Sequence, residues 1–208
     1  VRADFESVSD VELARRSQKG SLPAFEELVY RYEGRIYGFL LKSCGNDTDA
    51  RELAQDTFVR AFQAILQFDL RCDFAPWLFT IARRKLIDHI RAHRPISDEP
   101  LPDTPDFFDP AEALAQNEDA QNLWDLARRG LPAIQFQTLW LRYVEDMDVA
   151  QIAQVLRLTK THVKVLLFRA RAAMAKPLRA LGNPLAMLKP TRALPTSNPP
   201  SLIIHTSR

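Results

Sequence analysis

Two stretches of the 208-residue chain carry side chains suited to chemistry on a nucleic acid. From Phe68 to Arg94 the sequence reads FDLRCDFAPWLFTIARRKLIDHIRAHR, which sets Phe68, Phe74, Trp77 and Phe79 just ahead of Arg83, Arg84, Lys85, Arg91 and Arg94. Aromatic rings stack on unpaired bases while neighbouring cations hold the phosphates. Only a minority of these rings is expected to meet DNA, since Trp77 and Ile81, four apart, pack inward together. The second stretch runs from Asp148 to Met174. Val149 to Leu156 reads as a short helix, Arg157, Leu158 and Thr159 as a turn, and Thr161 onward as a second helix with Val163 and Leu167 on its inner face. The spacing of Ile152, small Ala153, Leu156, Leu158 and Val163 lets two helices cross closely and projects the second into a major groove. Between Arg157 and Arg179 stand seven basic residues and no acidic one. Lys160, His162 and Lys164, near the start of that helix, are best placed to read bases, with other cations and the helix N-terminus on phosphates.

Other chemistries find little support. Lys85, His89 and His93 share a helical face, and Asp88 is spaced to pair with Arg84 and Arg91. His89 and His93 have the i, i+4 spacing that can share a metal ion. Ile90 follows His89 where a zinc protease has Glu, however, and basic neighbours repel a cation. No metal is therefore assigned. Cys44 and Cys72 lie 28 positions apart without a CxxC pattern, which gives neither a redox nor a metal reading. With six glycines there is no Gly-rich phosphate loop, and no serine, histidine and acid arrangement is readable. The expectation is a protein without a cofactor and without catalytic residues.

The elements that must position these residues are helical throughout. Ser9 followed by Glu12 is a capping-box pattern opening a short helix that Gly20 closes. A longer helix runs from about Pro23 to Ser43, with Phe25, Leu28, Val29, Tyr32, Ile36, Phe39 and Leu40 on one face. Gly45 and Asn46 break it. The next helix, capped by Asp47 or Thr48, places Leu53, Ala54, Phe58, Ala61 and Ile65 on one side. A loop follows Phe68, then a helix from Phe74 to His93 with Asp73 as its cap and Pro76 tolerated in the first turn. From Arg94 prolines alternate with acidic residues, a composition that neither continues a helix nor buries a core. Periodicity resumes near Glu118 and passes Leu123, Trp124, Ile134, Leu139, Trp140 and Tyr143. The expected fold is all-α: two small helical domains joined by an acidic, proline-rich linker, the second containing a helix-turn-helix. The expected boundaries are 1–94, a linker at 95–122, 123–181, and a disordered tail at 182–208 whose Leu202, Ile203 and Ile204 are a stray apolar triplet or a docking patch.

Net charge is only +2, but it is unevenly spread. Residues 1–94 hold 15 Lys and Arg against 14 Asp and Glu, residues 95–122 none against 8, and residues 123–208 hold 13 against 4. A basic C-terminal part suits a polyanion, and a wholly acidic middle must lie away from it. No apolar run approaches the ~20 residues that span a bilayer, and the first ten residues do not read as a leader. Sparse cysteines suit a reducing compartment. A cytoplasmic protein with no membrane contact of its own is expected.

The stretches ELAQDTFVRAF (52 to 62), FAPWLFTIARRKLIDHIR (74 to 91), LRYVEDMDVAQIAQVL (141 to 156) and HVKVLLFRARAAM (162 to 174) resemble the extracytoplasmic-function sigma factors of bacterial RNA polymerase. The likeness covers about residues 24–94 and 123–181. It implies a factor that binds polymerase core, directs promoter-specific initiation at stress or signal-responsive genes, and answers to an anti-sigma factor. Within it, Leu53, Gln55, Asp56, Phe58 and Arg60 fall on the helix that docks on the clamp helices of the largest polymerase subunit. Phe68, Arg71, Phe74, Trp77, Arg84, Lys85, Asp88, His89 and Arg91 fall on the segment that recognises and melts the minus-ten element as an opened single strand. Lys160, Thr161, His162, Lys164, Arg169 and Arg171 fall on the helix that reads duplex DNA at minus thirty-five. The linker would thread the polymerase; fully extended it reaches ~90 Å.

Three departures from the family pattern stand out. Arg157 occupies the turn where Gly is usual, Val165 and Leu166 replace polar and basic residues after Lys164, and Arg84 stands where Asn is common. Two other functions fit part of the pattern. One is a stand-alone helix-turn-helix regulator; the other is an interaction protein that occupies polymerase without initiating.

Overall fold

A computed structural model describes residue 5, residues 7–93 and residues 121–180. Almost all of the expected linker and all of the expected tail lie outside these residues. Among the described residues every regular element is helical, and no helix is long and apolar enough to cross a membrane.

The first helix, α1 (Asp10–Gln18), forms one arm of the expected capping box, the Glu12 carboxylate being taken by Arg15 and Arg16 instead. Ser9 Oγ accepts the Glu12 backbone N–H, and Gly20 turns the chain at φ 91°. Helix α2 (Leu22–Cys44) lies along α1 and is tied to it by one guanidinium. Arg31 donates to the carbonyls of Val8 and Phe5 and to Asp10 Oδ1 at 2.6–2.8 Å, while its Nε reaches Glu27. Gly45 closes α2 in the left-handed conformation, where a side chain would be strained.

Helix α3 (Asp47–Ala64) is capped by Asn46, rather than by Asp47 or Thr48. The Asn46 Oδ1 accepts both the Thr48 and Asp49 N–H groups. Asn46 has the extended backbone a cap needs, whereas Asp47 already lies in the first turn, its carboxylate taken by Arg51 and by the Tyr37 hydroxyl. Helix α3 ends at Ala64 and passes into a 3-10 turn, Ile65–Gln67, so Ile65 belongs to that turn yet keeps its place in the core. Helix α4 (Phe74–Ala92) begins after Asp73, whose side chain does not cap it. These helices close around Leu28, Ile36, Phe39, Leu40, Leu53, Phe58, Leu78, Phe79 and Leu86.

The C-terminal helices are α5 (Gln121–Gly130), α6 (Ala133–Tyr143), α7 (Val149–Leu156) and α8 (Lys160–Ala180). Helix α5 begins two residues inside the stretch expected to be linker. The two halves, expected as separate domains, pack together into one continuous core, α2 against α5 and α6 and α4 against α7. Beside that apolar packing, polar residues whose partners lie far away in sequence join the two halves. Glu145, its side chain 1% exposed, receives Arg35 Nη2 at 2.8 Å and the Trp140 indole N–H at 3.2 Å. Lys42 meets Asp125 at 2.6 Å, Arg83 Nε donates to Gln137 Oε1 at 3.1 Å, and the Gln151 amide donates to Asp73 Oδ2 at 2.7 Å. That last bond is what occupies Asp73 in place of a capping role.

Burial pushes the Glu145 carboxyl above its ordinary range, and the Arg35 guanidinium and Trp140 N–H pull it back. Removing one partner of such a pair costs about 3–5 kcal/mol, whereas replacing both by apolar groups is close to neutral. The Arg35→Ala variant should therefore release the two halves. With dyes on α3 and α8, energy transfer falls while helical circular dichroism holds, and the double variant R35M/E145L restores transfer. Unchanged transfer in R35A would show that this pair does not hold the halves. Because the docked carboxyl has the higher pKa, docking strengthens as the pH falls into the carboxylate range and weakens as it rises through the docked pKa. The E145Q variant should flatten that dependence.

Candidate nucleic-acid interface

The helix-turn-helix is built from α7 and α8. Asp148 Oδ1 accepts the N–H groups of Ala150 and Gln151, and Gln151 Oε1 accepts the Asp148 N–H, a complete capping box. Helix α7 ends on Arg157 at φ 55°, ψ 46°, with the Leu158 N–H on the Ala153 carbonyl and the Arg157 N–H on Gln154. This is the Schellman arrangement with arginine at the position where glycine is usual, so Arg157 accepts the left-handed backbone at a steric cost. Thr159 caps α8 by accepting the His162 N–H.

On α8 the residues Val163, Leu166, Leu167, Ala170 and Met174 are buried. Leu166, one of the two apolar residues that replace polar and basic ones after Lys164, is buried and so is not part of the readout face. Lys160, Thr161, His162, Lys164, Arg169 and Arg171 are exposed, as are Val165 and Phe168. Arg171 is held in place, its Nε donating to the Tyr143 hydroxyl at 2.8 Å. Arg142, Lys164 and Arg171 line one cleft with Asp148, Val149 and Leu167 at the start of α7.

Around α4 the structure divides the expected residues. Phe68 and Phe74 are each only 3% exposed, which removes them from the DNA-facing set. With Trp77 they form a triangle of rings at 5.1–5.6 Å, and Tyr32 closes on Phe74. Their apolar burial braces the turn between the 3-10 segment and α4. Gln18 of α1 completes the brace, donating to the carbonyls of Ile65 and Phe68 at 2.9 and 2.8 Å. Trp77 and Ile81 are partly buried against the core. The braced loop presents Arg71, whose guanidinium grips Asp69 and holds that carboxyl down at about 2.

Lys85 and His89 face α3, at 2.8 Å from Asp56 and 3.3 Å from Asp49, and the His89 and His93 rings stack at 4.1 Å. Arg84, Asp88 and Arg91 stay exposed. The expected pairing of Asp88 with Arg84 and Arg91 is not among the ion pairs of the described residues. The same residues contain no cluster of three metal-ligating side chains.

Helix α3 shows a similar division. Leu53 and Phe58 lie in the core at 5% and 3% exposure and cannot be docking contacts, while Gln55, Asp56 and Arg60 are exposed. Val59, Phe62 and Leu66 project from the same outer side, with Leu22 and Tyr30 exposed on α2 and Phe62 touching Phe25 at 5.0 Å. The sequence contained this signal. Val59, Phe62 and Leu66 repeat at helical spacing on a stripe distinct from Leu53, Ala54, Phe58 and Ala61, and two apolar stripes on one helix require two partners.

An all-helical chain with a capped helix-turn-helix whose exposed face is cationic belongs to the helix-turn-helix DNA-binding proteins. Residues 28–96 match the family described as Sigma-70 region 2, and residues 124–174 match Sigma-70, region 4. The chain is 30% identical to the ECF RNA polymerase sigma factor BldN of Streptomyces coelicolor, over 85% of this chain and 68% of that one. It is 33% identical to the ECF RNA polymerase sigma factor RpoE of Cereibacter sphaeroides, over 73% and 87%. The solved structure of CnrH in complex with the cytosolic domain of CnrY is 29% identical, with a TM-score of 0.59 over 82% of this chain and 97% of that chain. The chain belongs to the extracytoplasmic-function sigma factors of bacterial RNA polymerase, which are transcription-initiation factors.

The strained turn gives a direct test. Replacing Arg157 by Gly relieves the left-handed cost, offset in part by the greater freedom of glycine in the unfolded chain, and removes a cation that opposes Arg83. The R157G variant should be more stable by about 0.5–1 kcal/mol, raising the melting temperature by about 1–4 °C in calorimetry. A lower melting temperature would mean that the Arg157 side chain supplies a contact worth more than the strain.

Proposed function

We propose that this sigma factor binds polymerase core through the outer face of α3, takes the opened minus-ten strand on α4 and the loop before it, and reads minus-thirty-five duplex with α8. The observation that carries this reading is the order of the two matches, region 2 on α2 to α4 and region 4 on α5 to α8. On α3 the contacts are assigned to Gln55, Asp56 and Arg60, joined by Val59 and Phe62. On the minus-ten side they are assigned to Arg71, Trp77, Arg84, Lys85, Asp88, His89 and Arg91. On α8 they are assigned to Lys160, Thr161, His162, Lys164, Arg169 and Arg171. We assign domains at 1–94 and 123–181 and a linking segment at 95–122. An anti-sigma protein that covers the factor when transcription is off is part of the reading, and the likeness to CnrH, solved with the cytosolic domain of CnrY, supports it.

This division of labour requires the halves to part. Packed helices lie ~8–10 Å apart, so α8, next to α7 on α4, sits within roughly two such spacings of the minus-ten helix. Promoter elements a couple of helical turns apart, at ~34–36 Å per turn, cannot both be reached from that arrangement. Opening also frees Arg83, whose guanidinium is half-buried against Gln137 and whose pKa is lowered by that burial and by Arg157.

The experiment is transcription by purified sigma-free core on fragmented genomic DNA, with and without the protein, while following co-elution with core. The expected result is co-elution together with new start sites. Co-elution without initiation would favour an occupying protein, and specific DNA retention without core would favour a stand-alone regulator. The variant Q55A/R60E should weaken co-elution by about tenfold or more while leaving duplex binding intact. The variant K160A/H162A/K164A should do the reverse, and equal loss of both activities in either variant would contradict the assignment.

A further inference from the structure

The outward face of α8 has an order that its net charge conceals. At 100° per residue, the line opposite the buried Val163, Leu167, Ala170 and Met174 runs through Thr161, Val165, Phe168 and Ala172. All four are exposed, Phe168 at 72% and Val165 at 40%. Lys160, Lys164 and Arg171 flank this line on one side and His162 and Arg169 on the other. The centre of the helix, which meets base edges when a recognition helix enters a major groove, is therefore apolar, and the cations sit where the phosphates run. No arginine, asparagine or glutamine stands on the centre line, so the bidentate forks that read guanine and adenine are missing there. The major groove offers one apolar group to such a surface, the C5-methyl of thymine.

We propose that Val165 and Phe168, with the Thr161 methyl, read the minus-thirty-five element through thymine methyl groups. The flanking cations set the helix in the groove without selecting sequence. This inference rests on the assignment of α8 to minus-thirty-five duplex. Charge complementarity favours DNA as the occupant: the apolar line lies between two rows of cations. On one side Arg171 is already fixed by Tyr143 and shares a cleft with Arg142, Lys164 and Asp148, whose carboxylate is taken up capping α7, so that the three cations would hold one phosphate strand. A protein partner would have to seat an apolar strip while accommodating cations on both sides of it.

The test uses holoenzyme, reconstituted from core and the full chain, on a promoter recovered from its mapped start sites. Each thymine of the minus-thirty-five duplex is replaced in turn by deoxyuridine, which removes only the methyl, and affinity is read by fluorescence anisotropy at fixed salt. At least two positions should lose about fourfold each, the equivalent of ~0.8 kcal/mol for one buried methyl. In V165A one of those losses should vanish, and in F168A another. Both side chains are exposed, so melting temperature should hold, and the dependence of affinity on salt should stay that of the parent. By contrast, K164A should weaken binding at all sequences and reduce the salt slope by about one. If holoenzyme binds the promoter and no deoxyuridine substitution matters, the methyl reading falls while the assignment of α8 to DNA stands. If holoenzyme does not form a promoter complex, that assignment itself fails. If F168A leaves promoter affinity intact but loses core, the apolar line belongs to a protein contact and the proposal is overturned.

Discussion

The packing of the two helical halves turns on one buried carboxylate. Glu145 lies between α6 and α7 with its side chain 1% exposed, and the cation that makes this tolerable comes from α2, 110 residues earlier. Arg35 is itself seated over the Tyr32 ring at 4.7 Å and near that of Phe79, so its guanidinium is aimed before Glu145 arrives. A pair of this kind adds little net stability, since desolvation offsets much of the attraction. What it supplies is register: only one docking of the C-terminal helices puts Glu145 against Arg35, and that docking also brings Gln137 to Arg83 and Gln151 to Asp73. Gln151 has a part on both sides, closing the α7 capping box with its oxygen and the contact between halves with its nitrogen.

What the sequence revealed and what it concealed follow from the range of the interactions. The Ser9 cap, the apolar face of α2, the α7 and α8 boundaries and the inner line Val163 and Leu167 depend on residues three or four apart, so periodicity exposes them. The docking of the halves depends on Arg35, Arg83, Gln137, Glu145 and Gln151, each of which reads as an ordinary surface residue on its own helix. Nothing local distinguishes Arg83, which is half-buried, from Arg84, which is exposed. The cap of α3 fell between adjacent candidates, and backbone conformation rather than residue type chose Asn46.

The aromatic segment failed for a related reason. An aromatic residue next to basic ones satisfies the pattern of a base-stacking site and of a packed corner equally well. Here Phe68 and Phe74 pack, because the chain must reverse between the 3-10 turn and α4, and with the partly buried Leu70 they anchor that reversal. Gln18 then donates to the carbonyls of Ile65 and Phe68, adding to the bond from the Phe68 N–H to Ile65 that the reversing backbone makes to itself. Exposed apolar residues carry more information than the buried ones. Phe62 and Phe168 are exposed on the two helices assigned to partners, and Leu66 is exposed in the 3-10 turn that follows the first of them.

If the halves part as proposed, charge favours DNA as the ligand of the opened form. In the docked form Arg83 loses solvent against Gln137, and Arg157, held in a strained turn, opposes it with a like charge. Both cations gain from leaving the docked arrangement for a polyanion, and the Glu145 carboxyl gains water. A ligand shifts a conformational equilibrium only by its differential affinity for the two states. Under the proposed assignment promoter DNA would have that difference through geometry, because its two elements lie further apart than the docked halves span, and through charge, because opening would present it with Arg83 on α4. On the proposed reading, the contacts that set the register of the closed form are the ones whose release is tied to binding.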